Sequence, residues 1–111
     1  MKNNNLVLEF TKQKDGIVQL VLSNSLLGGN DAIEFQKDLS ELINDENVTN
    51  VVFDLANVEQ INSSGLGMLV ASNSNILRNK KKLTLVNLSS KVQDLVKMTH
   101  LDKVLNISNN F

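Results

Sequence analysis

Cysteine, proline, tryptophan and tyrosine are all absent from this chain of 111 residues, which carries four phenylalanines and one histidine. Without cysteine there is no disulfide framework, no thiolate zinc site and no cysteine nucleophile. The same absence is compatible with a reducing compartment. Because aromatic rings are so few, platforms for stacking nucleic-acid bases are scarce.

The charge balance and the lack of long apolar runs exclude further classes of function. Eleven Lys and Arg stand against twelve Asp and Glu, a net charge of -1, so there is no general attraction to nucleic acid or anionic lipid. No apolar run approaches the roughly 20 residues that span a bilayer. Met1–Asn5 is polar where a secretory signal turns apolar. We expect a cytoplasmic protein that binds no nucleic acid and does not insert into membranes.

The remaining composition is that of an ordinary globular domain, with 41% hydrophobic and 21% charged residues. The length fits one domain, and no repeat or Pro/Gly/Ser-rich linker divides it. We therefore expect residues 1–111 to form a single domain. Asparagine makes up about one residue in seven, against ~7% for common residues, and we interpret most of it as genomic bias.

The first half of the chain predicts a hairpin, a helix and a strand. Leu6–Thr11 alternates apolar and polar residues, Ile17–Leu22 is a second β-rich run, and Asp15-Gly16 between them is a strong hairpin signal. A helical stripe then predicts a helix over Asp31–Asn44, with Asp31 and Glu34 resembling a capping box. Apart from Asp54, Val51–Leu55 is continuously apolar, which is typical of a strand buried on both faces.

The second half predicts two helices alternating with two strands. One helix carries the stripe Leu66, Leu69, Val70, Asn73, Ile76, Leu77. Leu83–Val86 is a short strand, Ser90–Gln93 is a capping box that begins a helix, and Val104–Ile107 is a last strand. The order ββαβαβαβ predicts an α/β domain with a mixed sheet of about five strands and helices packed against it.

The segment Ile61–Gly67, Ile-Asn-Ser-Ser-Gly-Leu-Gly, is the most informative for function. It places Ser63 and Ser64 at a helix N-terminus, where several backbone N–H groups lack partners. One interpretation is purely structural: Asn62 or Ser63 caps the helix. The other is a phosphorylation switch, because the helix dipole and free N–H groups support a phosphate on a serine hydroxyl.

This segment resembles the signature of STAS domains, in particular of the bacterial anti-sigma factor antagonists, which usually reads apolar-Asp-Ser-Ser/Thr-Gly-Leu-Gly. The resemblance covers nearly the whole chain. Upstream, Val51–Leu55 with Val58 is similar to the family's central strand and approach loop. Downstream, Leu83–Ser89 and Val96–Leu101 are similar to its closing pattern.

The resemblance implies a role in partner switching rather than catalysis. An unphosphorylated member binds an anti-sigma factor that is also a serine kinase, and a sigma factor is released. Phosphorylation of the motif serine breaks the complex, and a PP2C-type phosphatase resets it. By position, the acceptor is Ser64. A monomer that forms hetero-complexes is implied, with partner contacts at Asn62, Ser63, Ser64, Gly65, Leu66, Met68, Gly28 and Asn30.

The residues themselves are compatible with such contacts. Gly65 and Gly67 leave the backbone open to a close partner, and Met68, outside the apolar stripe, offers an adaptable apolar contact. Two departures stand out: Asn62 replaces the usual Asp, and the first loop, Leu26–Asn30, lacks the usual Asp after its leucine. They keep open an alternative, a STAS accessory subunit of a transport or other signalling complex that works without phosphorylation.

Other polar residues do not form a recognisable active site. The basic run of Arg78 and Lys80–Lys82 is typical of a solvated loop. His100 has no second ligand or nucleophile nearby in the sequence, and Asp45-Glu46 has no pairing suited to acid–base work. We therefore expect no enzyme activity, no cofactor and no metal.

Overall fold

A computed structural model describes residues 10–14, 16–24, 27 and 29–108 of the chain. Within these ranges the order ββαβαβαβ is confirmed, with one added turn of 3-10 helix before the last strand. The elements are β1 (Phe10–Lys14), β2 (Ile17–Val21), α1 (Ala32–Ile43), β3 (Asn50–Asp54), α2 (Ser63–Arg78), β4 (Lys82–Val86), α3 (Ser90–Met98), the 3-10 helix (Leu101–Lys103) and β5 (Ile107–Ser108).

The strands form one mixed sheet of five in the order β1-β2-β3-β4-β5. The predicted hairpin is confirmed, since β1 pairs antiparallel with β2 and Gly16 has a positive φ of 83°. Asp15 and residues 6–9 of the first predicted strand lie outside the described residues. The other neighbours pair in parallel, so β2 to β5 all point the same way.

The topology brings the starts of all three helices to one edge of the sheet. Each parallel pair is joined through a helix, and because the strand order never reverses, crossovers of one hand put every helix on the same face. We call the side where β2, β3 and β4 end the carboxyl edge; it holds residues 22–24 and 29–31 of the loop before α1, together with loops 55–62 and 87–89. The opposite side, with loops 44–49 and 79–81, is the amino edge.

The core lies between this face of the sheet and the helices. Alternate residues of β2, β3 and β4 face the helices in register, as in the row Leu20, Phe53, Leu85, each fully buried. Phe35 of α1 packs on Phe53 with ring centroids 5.9 Å apart. All three helices contribute to this one cluster, which fixes where each helix begins.

Two predicted caps are wrong, and the backbone explains why. Asp31 precedes α1 but makes no capping hydrogen bond, because its ψ of 12° is nearly helical, whereas a capping side chain works from extended backbone. Ser90 is already the first residue of α3; the cap is Ser89, whose ψ of 163° lets its hydroxyl accept the Val92 N–H at 3.2 Å.

Two smaller differences complete the comparison. Leu77, predicted on the buried stripe of α2, is 53% exposed. The last strand begins at Ile107 rather than Val104, because the 3-10 helix occupies Leu101–Lys103. Val51, Val52 and Phe53 are buried on both sides of the central strand, as predicted. Within the described ranges, no helix is long and apolar enough to cross a bilayer.

Candidate functional site

The start of α2 presents two serine hydroxyls to solvent at the carboxyl edge. Ser63 and Ser64 are the first two residues of the helix, and both are exposed. Asn62 caps the helix from extended backbone, with ψ of -177°, and its Oδ1 accepts the Gly65 N–H at 2.9 Å. The structural interpretation of this segment is thus confirmed for Asn62. Capping leaves both serine hydroxyls available.

Some backbone N–H groups in this first turn donate hydrogen bonds, and others have no acceptor among the described residues. The Gly65 N–H bonds the Asn62 side chain, and the Leu66 N–H bonds the Asn62 carbonyl at 2.9 Å. The backbone amides of Ser63 and Ser64 have no hydrogen-bond partner within the described part of the chain. Together with the positive end of the helix dipole, they favour a negative group at this position.

Gly65 is required by the packing of the protein itself. A Cβ at this position would lie 2.6 Å from Cγ1 of Ile61 and 2.7 Å from the Leu27 carbonyl oxygen. Gly65 is therefore buried where two loops meet α2, and it does not offer the open backbone that we expected. Gly67 does, since a Cβ there would meet nothing within 4 Å.

The other predicted contact residues differ in how far they face solvent. Asn30 and Asn62 are exposed, whereas Leu66 is buried at 8% exposure. Met68 is partly buried and packs against the core, so the expectation that it lies outside the apolar stripe is wrong. Gly28 lies outside the described residues. The structure thus brings Ser63, Ser64 and Gly67 to one exposed surface, with Leu66 and part of Met68 beneath it.

The loop that leads to the serines, residues 55–62, is held by side chains from its neighbours; we call it the approach loop. Asp54, the last residue of β3, directly precedes the loop, and its Oδ1 accepts the Ala56 N–H and the Asn87 side-chain amide, both at 3.0 Å. Oδ2 of the same carboxylate accepts Gln19 Nε2 at 3.3 Å. Farther along, Asn24 Nδ2 donates to the Gln60 carbonyl and Ser89 Oγ to the Glu59 carbonyl, each at 2.7 Å.

Sequence analysis missed Asn24, Asn87 and Ser89 as residues that organise the site. A signal for them existed, because each follows a predicted parallel strand, and loops at the carboxyl ends of such strands meet at one edge. The interpretation of asparagine as mainly genomic bias concealed it. In the described chain, asparagine side chains make hydrogen bonds at positions 24, 62, 73, 79, 87 and 106.

The site carries little charge of its own. Between Leu55 and Ser64 the only ionisable side chain is the exposed Glu59. No group of three or more His, Asp or Glu side chains that could hold a metal ion occurs among the described residues. The arrangement therefore offers hydroxyls and free amides, which suit modification or binding.

Comparison with known proteins places this geometry in a family. The family model of the STAS domain matches residues 10–111. The chain belongs to the STAS domain family. Its fold is similar to that of the anti-sigma factor antagonist SpoIIAA in its unphosphorylated form, with a TM-score of 0.73 and 15% identity over 94% of this chain and 90% of that one. It is also similar to the NMR structure of the protein TM1081, with a TM-score of 0.77 and 24% identity over 98% of this chain and 87% of that one.

Proposed function

We propose that this protein is an anti-sigma factor antagonist of a cytoplasmic partner-switching pathway, and that Ser64 is its phosphorylation site. The unphosphorylated form binds an anti-sigma factor that is a serine kinase and so releases a sigma factor. Phosphorylation of Ser64 ends this binding, and a PP2C-type phosphatase restores it. The protein itself is a binding module of residues 1–111 that works without a cofactor.

The observation that carries the proposal is the exposed Ser64 hydroxyl at the second position of a capped helix, beside two amides that have no partner among the described residues. A kinase can reach this hydroxyl without unfolding the chain. The position also tolerates the product, because a phosphate near a helix N-terminus interacts favourably with the dipole and with free N–H groups. SpoIIAA, whose fold is similar, is an anti-sigma factor antagonist with an unphosphorylated form.

The charge of the phosphate explains how one hydroxyl can switch a whole interface. A phosphoserine adds about -1.5 to -2 charges, whereas Glu59 is the only ionisable side chain in residues 55–64. In a desolvated interface this charge opposes partner carboxylates. To shift binding from 1:99 to 99:1 the two forms must differ by about 5.5 kcal/mol in affinity. Steric exclusion at the surface formed by Ser63, Ser64 and Gly67 adds to the electrostatic difference.

Binding of Ser64 variants to the histidine-kinase-like anti-sigma proteins of the same genome tests the proposal. We expect Ser64→Ala to bind one of them as tightly as the unmodified protein, and Ser64→Asp to bind it at least about tenfold more weakly, a difference of about 1.4 kcal/mol. Ser74→Asp is the matched control, since Ser74 is exposed on the same helix and receives the same charge. Equal affinity of Ser64→Asp and Ser74→Asp would contradict the proposal.

A further inference from the structure

Two side chains hold the approach loop by consecutive carbonyl groups. Asn24, from the loop before α1, donates to the Gln60 carbonyl, and Ser89, from the loop before α3, donates to the Glu59 carbonyl, both at 2.7 Å. We propose that Asn24 and Ser89 are positioning residues, which place the first turn of α2 for recognition of Ser64 by its kinase partner. The inference rests on the proposed function and adds the residues that prepare the site.

The path from these carbonyls to Ser64 is short. Ile61 follows Gln60 directly, and its side chain packs against the first turn of α2 at Gly65. Asn62 comes next and binds the Gly65 N–H at 2.9 Å. A shift of the Gln60 carbonyl therefore moves both the apolar contact and the cap that orient the serines.

Ser89 also connects the site to α3. Its hydroxyl donates to the Glu59 carbonyl while its oxygen accepts the Val92 N–H at 3.2 Å, so one side chain caps α3 and holds the approach loop. On the other side, Asn24 donates to the Gln60 carbonyl from the loop between β2 and α1. The approach loop is thus fixed between Asn24, which follows β2, and the start of α3.

The solvent exposure of the two hydrogen bonds to Glu59 and Gln60 determines how much they contribute to stability and how much to the order of the approach loop. Glu59 and Gln60 are exposed, so water can replace either donor with little loss of overall stability. Water cannot hold the approach loop in one position, however. Recognition of a reacting group depends on a geometry that is already formed before the partner binds. We therefore expect loss of a donor to affect loop order and partner recognition more than the free energy of unfolding.

Two substitutions remove the donors and keep an oxygen acceptor at each position. Asn24→Asp has the same shape but cannot donate to Gln60. Ser89→Asp still caps α3, because a carboxylate accepts the Val92 N–H, but it cannot donate to Glu59. Asn57→Asp and Ser90→Asp are the matched controls, since they add the same charge nearby at exposed positions. Ser89→Asn, which can both donate and accept, is the rescue variant.

The first measurement is amide hydrogen exchange over residues 58–66 in the free protein. We expect the amides of residues 58–66 to exchange about two- to tenfold faster in Asn24→Asp and Ser89→Asp than in the unmodified chain, because each variant loses one hydrogen bond. Asn57→Asp, Ser90→Asp and Ser89→Asn should match the unmodified chain. Exchange rates that are the same in all five variants would overturn the proposal, whatever the partner does.

The second measurement is phosphorylation by the anti-sigma kinase that binds the unmodified protein. We expect kcat/KM to fall about two- to tenfold for Asn24→Asp and Ser89→Asp, as for one lost hydrogen bond, and to recover in Ser89→Asn. Equal kcat/KM in the donor variants and the charge controls would overturn the positioning role. If no kinase of the genome modifies the unmodified chain, the proposed function fails, and the exchange result alone decides whether the two donors order the loop.

Discussion

The two edges of the parallel sheet use side-chain donors of different charge to hold the carbonyls of their loops. At the carboxyl edge the neutral side chains of Asn24 and Ser89 donate to carbonyls of the approach loop. At the amino edge the ammonium of Lys81 donates to the carbonyls of Asp45, at 3.0 Å, and Val48, at 2.7 Å. The basic run predicted to be a solvated loop therefore contains one lysine with a structural role.

The difference matters for where a charge can act as a signal. Residues 78–82 carry four basic side chains, Arg78 and Lys80–Lys82, whereas residues 55–64 carry only Glu59. A phosphate at the amino edge would be offset by fixed cations, and its effect on a partner would be screened. A phosphate on Ser64 would meet no such cation within residues 55–64, so its charge would remain available to act on a partner.

The largest effect should come from the glycine that lies under the serines. Gly65→Ala places a Cβ 2.7 Å from the Leu27 carbonyl, so we expect a loss of about 2–3 kcal/mol of unfolding free energy. Gly67→Ala, two residues along the same helix and in open space, should raise stability by about 0.5–1 kcal/mol. Urea denaturation of both variants is the measurement; equal stabilities would show that the close packing at Gly65 is not as described.

At the amino edge, Lys81→Met should lower the unfolding free energy by about 1–2 kcal/mol, because two carbonyls lose a charged donor. Lys82→Met is the control, since that side chain is exposed in the adjacent strand. Neither change should alter modification of Ser64. If Lys81→Met left the unfolding free energy unchanged but altered the modification of Ser64, the two edges would not have the separate roles described above.

Between the edges, Ser72 of α2 is 1% exposed, and its buried hydroxyl has no hydrogen-bond partner in the described structure. Ser72→Ala should therefore raise the unfolding free energy by about 1 kcal/mol. Ser74→Ala, exposed on the same helix, should gain only the helix propensity, about 0.5 kcal/mol. Thermal unfolding compares the two; a loss of stability in Ser72→Ala would mean that its hydroxyl has a partner.

The smallest effect concerns Asn62, the departure from the family signature. As an N-cap, Asp is nearly equivalent to Asn, so Asn62→Asp should change stability by less than about 0.5 kcal/mol. Combined with Ser64→Asp, the like charges should add a coupling of about 0.3–1 kcal/mol, which a double-mutant cycle in urea measures. If the effects of the two substitutions on the unfolding free energy were strictly additive, the charge at position 62 would have no influence on a charge at Ser64.

Most of the fold follows from patterns that the sequence displays directly. The apolar run of β3 and the turn at Gly16 lead to the correct elements because burial and positive φ leave local signatures. The caps at Asp31 and Ser90 were wrong because capping depends on the backbone angles of one residue, which depend on where the preceding loop must go. Residue type alone does not contain that information.

In the candidate site, too, some residues are predictable from the sequence and others are not. Asn62, Ser63 and Ser64 are predictable because they are adjacent in sequence and belong to a recognisable motif. Asn24 and Ser89 are not, because they reach the approach loop from positions 36 and 30 residues away from their carbonyl partners. The packing role of Gly65 is not predictable from the sequence either, because the Leu27 carbonyl comes close to it only in the folded chain.

The most direct test of the central claim is to map the phosphate after the protein is incubated with ATP and each histidine-kinase-like anti-sigma protein of its genome. Intact mass and peptide sequencing would be applied to the unmodified chain, Ser63→Ala and Ser64→Ala. We predict one phosphate on Ser64, retained in Ser63→Ala and absent from Ser64→Ala, with the complex lost on modification. Phosphate on another residue, or a kinase complex that persists with Ser64 phosphorylated, would contradict the account.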